Sequence, residues 1–148
     1  MPGQFLQSIE SNYMNTIAEE NKKVVLRFNK EFLEAGNTEV LKEIVAEGFT
    51  NHTAATNFPK DVTGLINFVA AMHKGLPDMH IEIHDQVAEG DLVATRKTIY
   101  GTHLGQLMGK AATGKTVAIN VMDFVRLKDG KYIDHWGRND IMQVVQSL

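Results

Sequence analysis

An α+β fold is predicted by three observations. Apolar residues recur at helical spacing through the first half of the chain, the period changes to two after Pro77-Asp78, and the second half then runs as long strands separated by turn residues. The length of 148 residues suits a single domain with a core of its own. Residues 1–15 are weakly patterned and read as an N-terminal arm or part of a subunit contact; residues 16–148 read as the domain.

From about Thr16 to Ala35, Ile17, Val24, Phe28 and Phe32 fall on one helical face, with Glu19, Lys23, Arg27, Lys30 and Glu34 filling most other positions. Gly36 supplies a left-handed stop and Asn37 a cap for a second, shorter helix carrying Val40, Leu41, Ile44 and Val45 and ending near Gly48. The Asn- and Thr-rich stretch from Phe49 to Pro59 reads as a loop. A third helix is expected from about Thr63 to Leu76, closed by Pro77.

Beyond Asp78, Ile81, Ile83, Asp85 and Val87 alternate with His80, Glu82, His84 and Gln86, the period of a strand. Glu89-Gly90-Asp91 is a turn, followed by a strand from Leu92 to about His103 and, after a glycine-bearing loop, another from about Thr116 to Leu127. Asp129-Gly130 marks a tight hairpin into a last strand that starts at Tyr132 and passes through Trp136. Strands of this length must curve, and a curved sheet capped by helices makes a cone with an interior.

Composition narrows the function. A formal charge of −3 argues against a nucleic-acid partner, and no stretch approaches the apolar length of a membrane span. The absence of cysteine excludes disulfides, thiol nucleophiles and thiolate metal sites. The N-terminus has no signal-peptide pattern, so the expected setting is soluble and cytoplasmic. The stretch from Gly109 to Gly114-Lys115 has phosphate-loop spacing but runs into a strand rather than opening a helix, so it is read as a chance match.

The candidate chemistry concentrates in the last strands. Asp123 lies inside the apolar run Asn120-Val-Met-Asp-Phe-Val, as a general base tuned by burial or as the partner of Arg96 or Arg138 in an ion pair. Arg96 and Lys97 must face opposite sides, and Arg96 is the candidate to hold a carboxylate or enolate oxygen. His103 and His52 are candidate proton carriers, and Asn51 a candidate for orienting a carbonyl; hydrogen-bonded structural roles are the competing reading for all three. His135, Trp136, Arg138 and Asp140 form a polar-aromatic cluster for substrate binding, in which Trp136 is a ligand wall or plain core. Alternation sends His135 and Trp136 to opposite faces. His80, Glu82 and His84 share a face opposite Ile81 and Ile83; they read as solvent- or partner-facing, and no metal is assigned.

Ala88-Glu-Gly-Asp-Leu-Val-Ala, Gly101-Thr-His-Leu-Gly, Thr113-Gly-Lys, Asp129-Gly-Lys, His135-Trp136 and Asp140, with Asn51-His52 and Leu76-Pro77-Asp78 upstream, together resemble a SnoaL-like polyketide (ester) cyclase domain of the NTF2-like superfamily. The resemblance covers roughly residues 20–145. It implies a cone-shaped α+β barrel that pairs through its sheet as a homodimer, holds a small hydrophobic molecule and needs no metal or organic cofactor. In such cyclases an aspartate on the last strand is the general acid/base of an intramolecular aldol closure, assisted by a histidine on the preceding strand. Superposing the Asp-Gly-Lys turns puts these positions at Gly137 and Asp123, so the aspartate is replaced by glycine and the histidine by a carboxylate. Two functions follow as expectations: a cofactor-independent cyclase, isomerase or hydrolase acting on a hydrophobic carbonyl or ester compound, or a non-catalytic ligand-binding or assembly module with the same cone.

Overall fold

The computed structural model describes residues 2–148. The α+β class holds, with helices leading into a five-stranded mixed sheet. From Pro2 onward the expected arm is already helical: α1 runs without a break over Pro2–Arg27 and is fully exposed until Ile17. Its continuation, Phe28–Glu34, is a wider π-helical segment, and Gly36 ends it with the positive φ of 74° expected of a left-handed stop. Asn37 caps the next turn by accepting from the Glu39 N–H, but the second helix is short, a 3₁₀ turn at Thr38–Val40 followed by α2 at Leu41–Ile44. Helix α3, Val62–Gly75, starts at Asp61, whose side chain accepts from the Gly64 N–H.

Part of the stretch expected to be loop is a strand. β1, Val45–Asn51, lies parallel to β5, Lys131–Asn139, with Thr50 opposite Asp134 and Asn51 opposite His135. Its register is interrupted between Val45 and Thr50, where Gly48 takes a φ of 84° that side-chain-bearing residues avoid. Long-range pairing to β5 overrides the turn chemistry of its Asn and Thr residues. β2 (His80–Glu89), β3 (Leu92–Thr102) and β4 (Thr116–Lys128) complete the order β1-β5-β4-β3-β2. Asp129 and Gly130 both have positive φ, as the tight β4–β5 hairpin requires.

The inner face of the sheet packs against α1, the π segment, α2, α3 and the closing helix α4, Ile141–Gln146. Phe28 stacks on Tyr132 at 4.5 Å and meets Phe32 edge-on; Met72, Leu76, Ile119 and Val125 fill the interior around them. The alternation expected in β2 breaks midway. A bulge between Ile83 and Asp85 turns Asp85 and Val87 to the outer face, opposite Arg96 and Ala94, while Gln86 reaches inward to the carbonyl of Lys22. Among the described residues no helix is long and apolar enough to cross a membrane.

Candidate active site

The inner face of β3–β5 carries a continuous polar chain through otherwise apolar surroundings. Lys97, only 3% exposed, donates from Nζ to Asn29 Oδ1 at 2.6 Å and to Asp123 Oδ2 at 3.2 Å. Asn29 is brought there by the π segment and anchored by its own amide, which donates to the Val25 carbonyl. His135 approaches the same Asp123 oxygen from β5, with Nε2 at 3.4 Å. Its Nδ1 lies 2.9 Å from Asn51 Oδ1, which also accepts from the Thr53 N–H. Because Oδ1 is thus an acceptor, Nδ1 is the donor, and Nε2 is left facing Asp123, to which it donates when the ring carries both protons. Thr53 Oγ1 in turn accepts from the Gly137 N–H at 2.7 Å.

Burial alone would push the Asp123 carboxyl upward. The Lys97 charge and the His135 contact outweigh it and hold the pKa at about 2, against 3.8 ordinarily. Burial, then the Asp123 charge, raises the Tyr132 phenol well above its usual value. Asp123 Oδ1 and Thr95 Oγ1, on residues that face each other across β3 and β4, are buried and have no hydrogen-bond partner among the described residues. One acceptor and one hydroxyl there are available to a bound polar group.

Positions 123 and 137 are direct cross-strand partners. A Cβ added at Gly137 would stand 3.0 Å from His135 Cε1 and 3.5 Å from Asp123 Cβ. The imidazole of His135 therefore fills the space that a side chain at 137 would need. The carboxylate stands on β4 and the imidazole on β5, the reverse of the order that the family resemblance implies.

Of the residues expected at the site, Asp123, His135 and Asn51 converge. Arg96 does not: alternation puts it on the outer face, where its Nε donates to Asp85 at 2.6 Å, and Lys97 is the inward cation. The parity of Lys97 with buried Val93 and Ile99 is the sequence signal that identifies it. His103 is fully buried and pins the loop after β3: Nδ1 accepts from the Thr113 N–H, leaving Nε2 to donate to the Lys110 carbonyl. His52 lies on the outer side, 2.7 Å from Asp134 Oδ1 and stacked on Trp136, whose ring also carries the Arg126 guanidinium at 5.6 Å. Trp136 thus lies on the outer side, away from the inner polar chain. Arg138 is exposed on the outer face opposite Met122, and Asp140 accepts from the backbone and side-chain amides of Asn120. Asn29, Lys97 and Thr53 are the members that sequence patterning passed over; nothing local to Asn29 or Thr53 announces them.

Two shallow grooves also lie on the outer face. One, about 400 Å³, is lined by residues including Arg96, Met122 and Arg138, and the other by Val87, Ala88, Glu89, Leu92, Ala94 and Phe124.

The profile of the SnoaL-like polyketide cyclase family matches residues 23–148. The chain belongs to that family. An aklanonic acid methyl ester cyclase of Streptomyces sp. (strain C5) is 28% identical over 117 residues, covering 76% of this chain and 72% of the relative. Two solved structures share the NTF2-like fold. A candidate polyketide cyclase from Bacillus cereus ATCC 10987 is 28% identical with a TM-score of 0.76, over 86% of this chain and 78% of the other. The corresponding protein IdmH of Streptomyces antibioticus is 27% identical with a TM-score of 0.74, over 86% and 96%. The SnoaL-like protein described here thus carries the family's fold, with Asp123 on β4 and His135 on β5 facing its interior.

Proposed function

We propose that this SnoaL-like protein is a cofactor-independent acid/base catalyst of the cyclase type, acting on a hydrophobic carbonyl or ester compound. The observation that supports it is the chain Lys97–Asp123–His135–Asn51. Within it, His135 is the titratable member that reaches outward, its side chain 20% exposed against 4% for Lys97 and 7% for Asp123. A carboxylate held at about 2 is a weak base near neutrality, so proton transfer falls to His135. Asp123 and Asn51 orient the ring; with Nδ1 donating to Asn51, the neutral imidazole takes the substrate's α-proton at Nε2 as the enolate forms and returns it to the alkoxide oxygen when the new carbon–carbon bond closes. Lys97 keeps Asp123 ionised, and Asp123 stabilises the imidazolium that forms. Asn51 thus acts through the imidazole; Arg96, His103, His52, Trp136, Arg138 and Asp140 stand outside this reading.

The streptomycete relative suggests a polycyclic keto ester, closed by an intramolecular aldol step, as the first substrate class to test. Incubation with aklanonic acid methyl ester, followed by chromatography, should show ring closure, and His135→Gln should slow it about 100-fold or more. Turnover unchanged in His135→Gln and in Asp123→Asn would sink the catalytic reading. Gly137 in the place of the family carboxylate favours the second reading, a ligand-binding module. Tight binding of the same ester with no conversion would support that one.

The proposal extends to a cytoplasmic homodimer paired through the outer sheet face. Exposed Met122, in the groove it shares with Arg96 and Arg138 on that face, and the cysteine-free chain support it.

A further inference from the structure

The first half of α1 leaves the domain. Residues 2–16 are all exposed, and the family match begins only at residue 23. The direction of the helix is set by two contacts: Gln86 of β2 reaches the Lys22 carbonyl, and Lys30 reaches the Ile81 carbonyl. α1 therefore runs antiparallel to β2, and its N-terminal half continues past the β2–β3 turn by roughly 20 Å at 1.5 Å per residue.

This overhang is not polar. Phe5 is 68% exposed, Leu6 59%, Ile9 48% and Tyr13 66%. Their spacing places them in one stripe, turned by roughly 140° from the side that carries buried Ala18, Asn21 and Val25 into the core. The stripe is a separate face, not an extension of the core-facing one. From Pro2 to Ala18 the sole charged side chain is Glu10. A helix destined for a lipid surface carries lysines and arginines on its polar face, and this segment has none.

The same chain displays a second exposed apolar patch near the same end of the sheet, on its outer side: the groove of Val87, Leu92, Ala94 and Phe124. The arm cannot reach its own groove, because α1 is one unbroken helix fixed to the inner face beyond Lys22. We propose that the arm docks on a second copy of this chain, its Phe5–Tyr13 stripe seated in the partner's outer-face groove, with the exchange reciprocated about a twofold axis. The idea rests on the homodimer reading above and adds its clasp. Aromatic side chains bury 150–250 Å² each, so Phe5 and Tyr13 of two arms with the surfaces they cover reach the roughly 1,000 Å² that a specific interface needs.

The test uses the full chain, whose lack of native cysteine makes single thiols unambiguous. Sedimentation equilibrium should show a dimer, and Phe5→Ser/Ile9→Ser/Tyr13→Ser should raise its dissociation constant about 100-fold or more, as the loss of three buried apolar side chains implies. Mixing an Ile9→Cys chain with a Val87→Cys chain under mild oxidation should give a cross-linked pair containing one of each. A dimer that keeps its affinity in the triple variant overturns the clasp and leaves sheet pairing standing. Ile9→Cys cross-linking only to itself also overturns it, because the arms then pair with each other. A monomeric full-length chain overturns both readings.

Discussion

The two faces of the sheet are built from alternate residues of the same strands, yet they handle charge in opposite ways. On the inner face, Lys97, Asp123 and His135 are bonded to one another within an apolar interior. Their immediate neighbours Arg96, Phe124 and Trp136 point outward, and there Arg96 pairs with Asp85 while both side chains remain more than half exposed. Water screens the outer pair and is excluded from the inner one, so similar contacts differ several-fold in what they contribute. Proximity of opposite charges is therefore a poor guide to importance in this protein; burial decides.

The contrast is sharpest for the two adjacent cations. Lys97→Met leaves Asp123 buried without its cation and should cost about 3 to 5 kcal/mol in urea unfolding. A loss below about 1 kcal/mol would mean that Asp123 is better solvated than its surroundings indicate.

Acid should act next. The folded carboxyl of Asp123 titrates near 2 and the unfolded one near 3.8, so this group stabilises the fold fully above about pH 4. That contribution, about 2 to 3 kcal/mol, disappears as pH falls from 4 toward 2. The stability advantage of the wild type over Asp123→Asn should shrink across that window, and a constant advantage would contradict the depressed pKa.

Gly137→Asp places a carboxylate where the family resemblance implies one, but pushes its Cβ to within 3.0 Å of His135 and its charge toward Asp123. It should cost about 1 to 2 kcal/mol, part of it recovered in Gly137→Asp/His135→Ala; simple additivity in that cycle would deny the exchange of strands. The smallest effect belongs to the outer face, where Arg96→Met should change stability by less than about 1 kcal/mol.

Much of this was legible in the residues. Alternation separated His135 from Trp136, Asp129-Gly130 marked its hairpin, and the ordered motifs of the last three strands pointed to the SnoaL-like cone. The misreadings have physical causes. Period two separates two faces without naming them, so Arg96 could be chosen over Lys97 until Val93 and Ile99 set the parity. The bulge after Ile83 reverses the faces of β2, and no residue type there signals it. β1 exists because β5 offers a parallel partner, a long-range effect that its own Asn and Thr residues conceal. Asn29 joins the site only because the helix widens around it.

That widening at Phe28–Glu34 also makes the protein sensitive to chain length in a way that substitution alone would not reveal. A π segment carries its residues at a coarser angular step than an α-helix, and removing one residue from it lets the ordinary helical step resume. Six residues at the ordinary step of roughly 100° cover nearly the same angle as seven at the π-helical one, so the helix on either side of the deletion would keep its orientation and only the widened turn would be lost. Glu34 would keep the anchor that its side chain makes on the Ile81 N–H, while Asn29 would lose the outward displacement that the widened turn gives it. Single-residue indels in this stretch act locally: with no side chain altered, they set whether the buried lysine meets its amide.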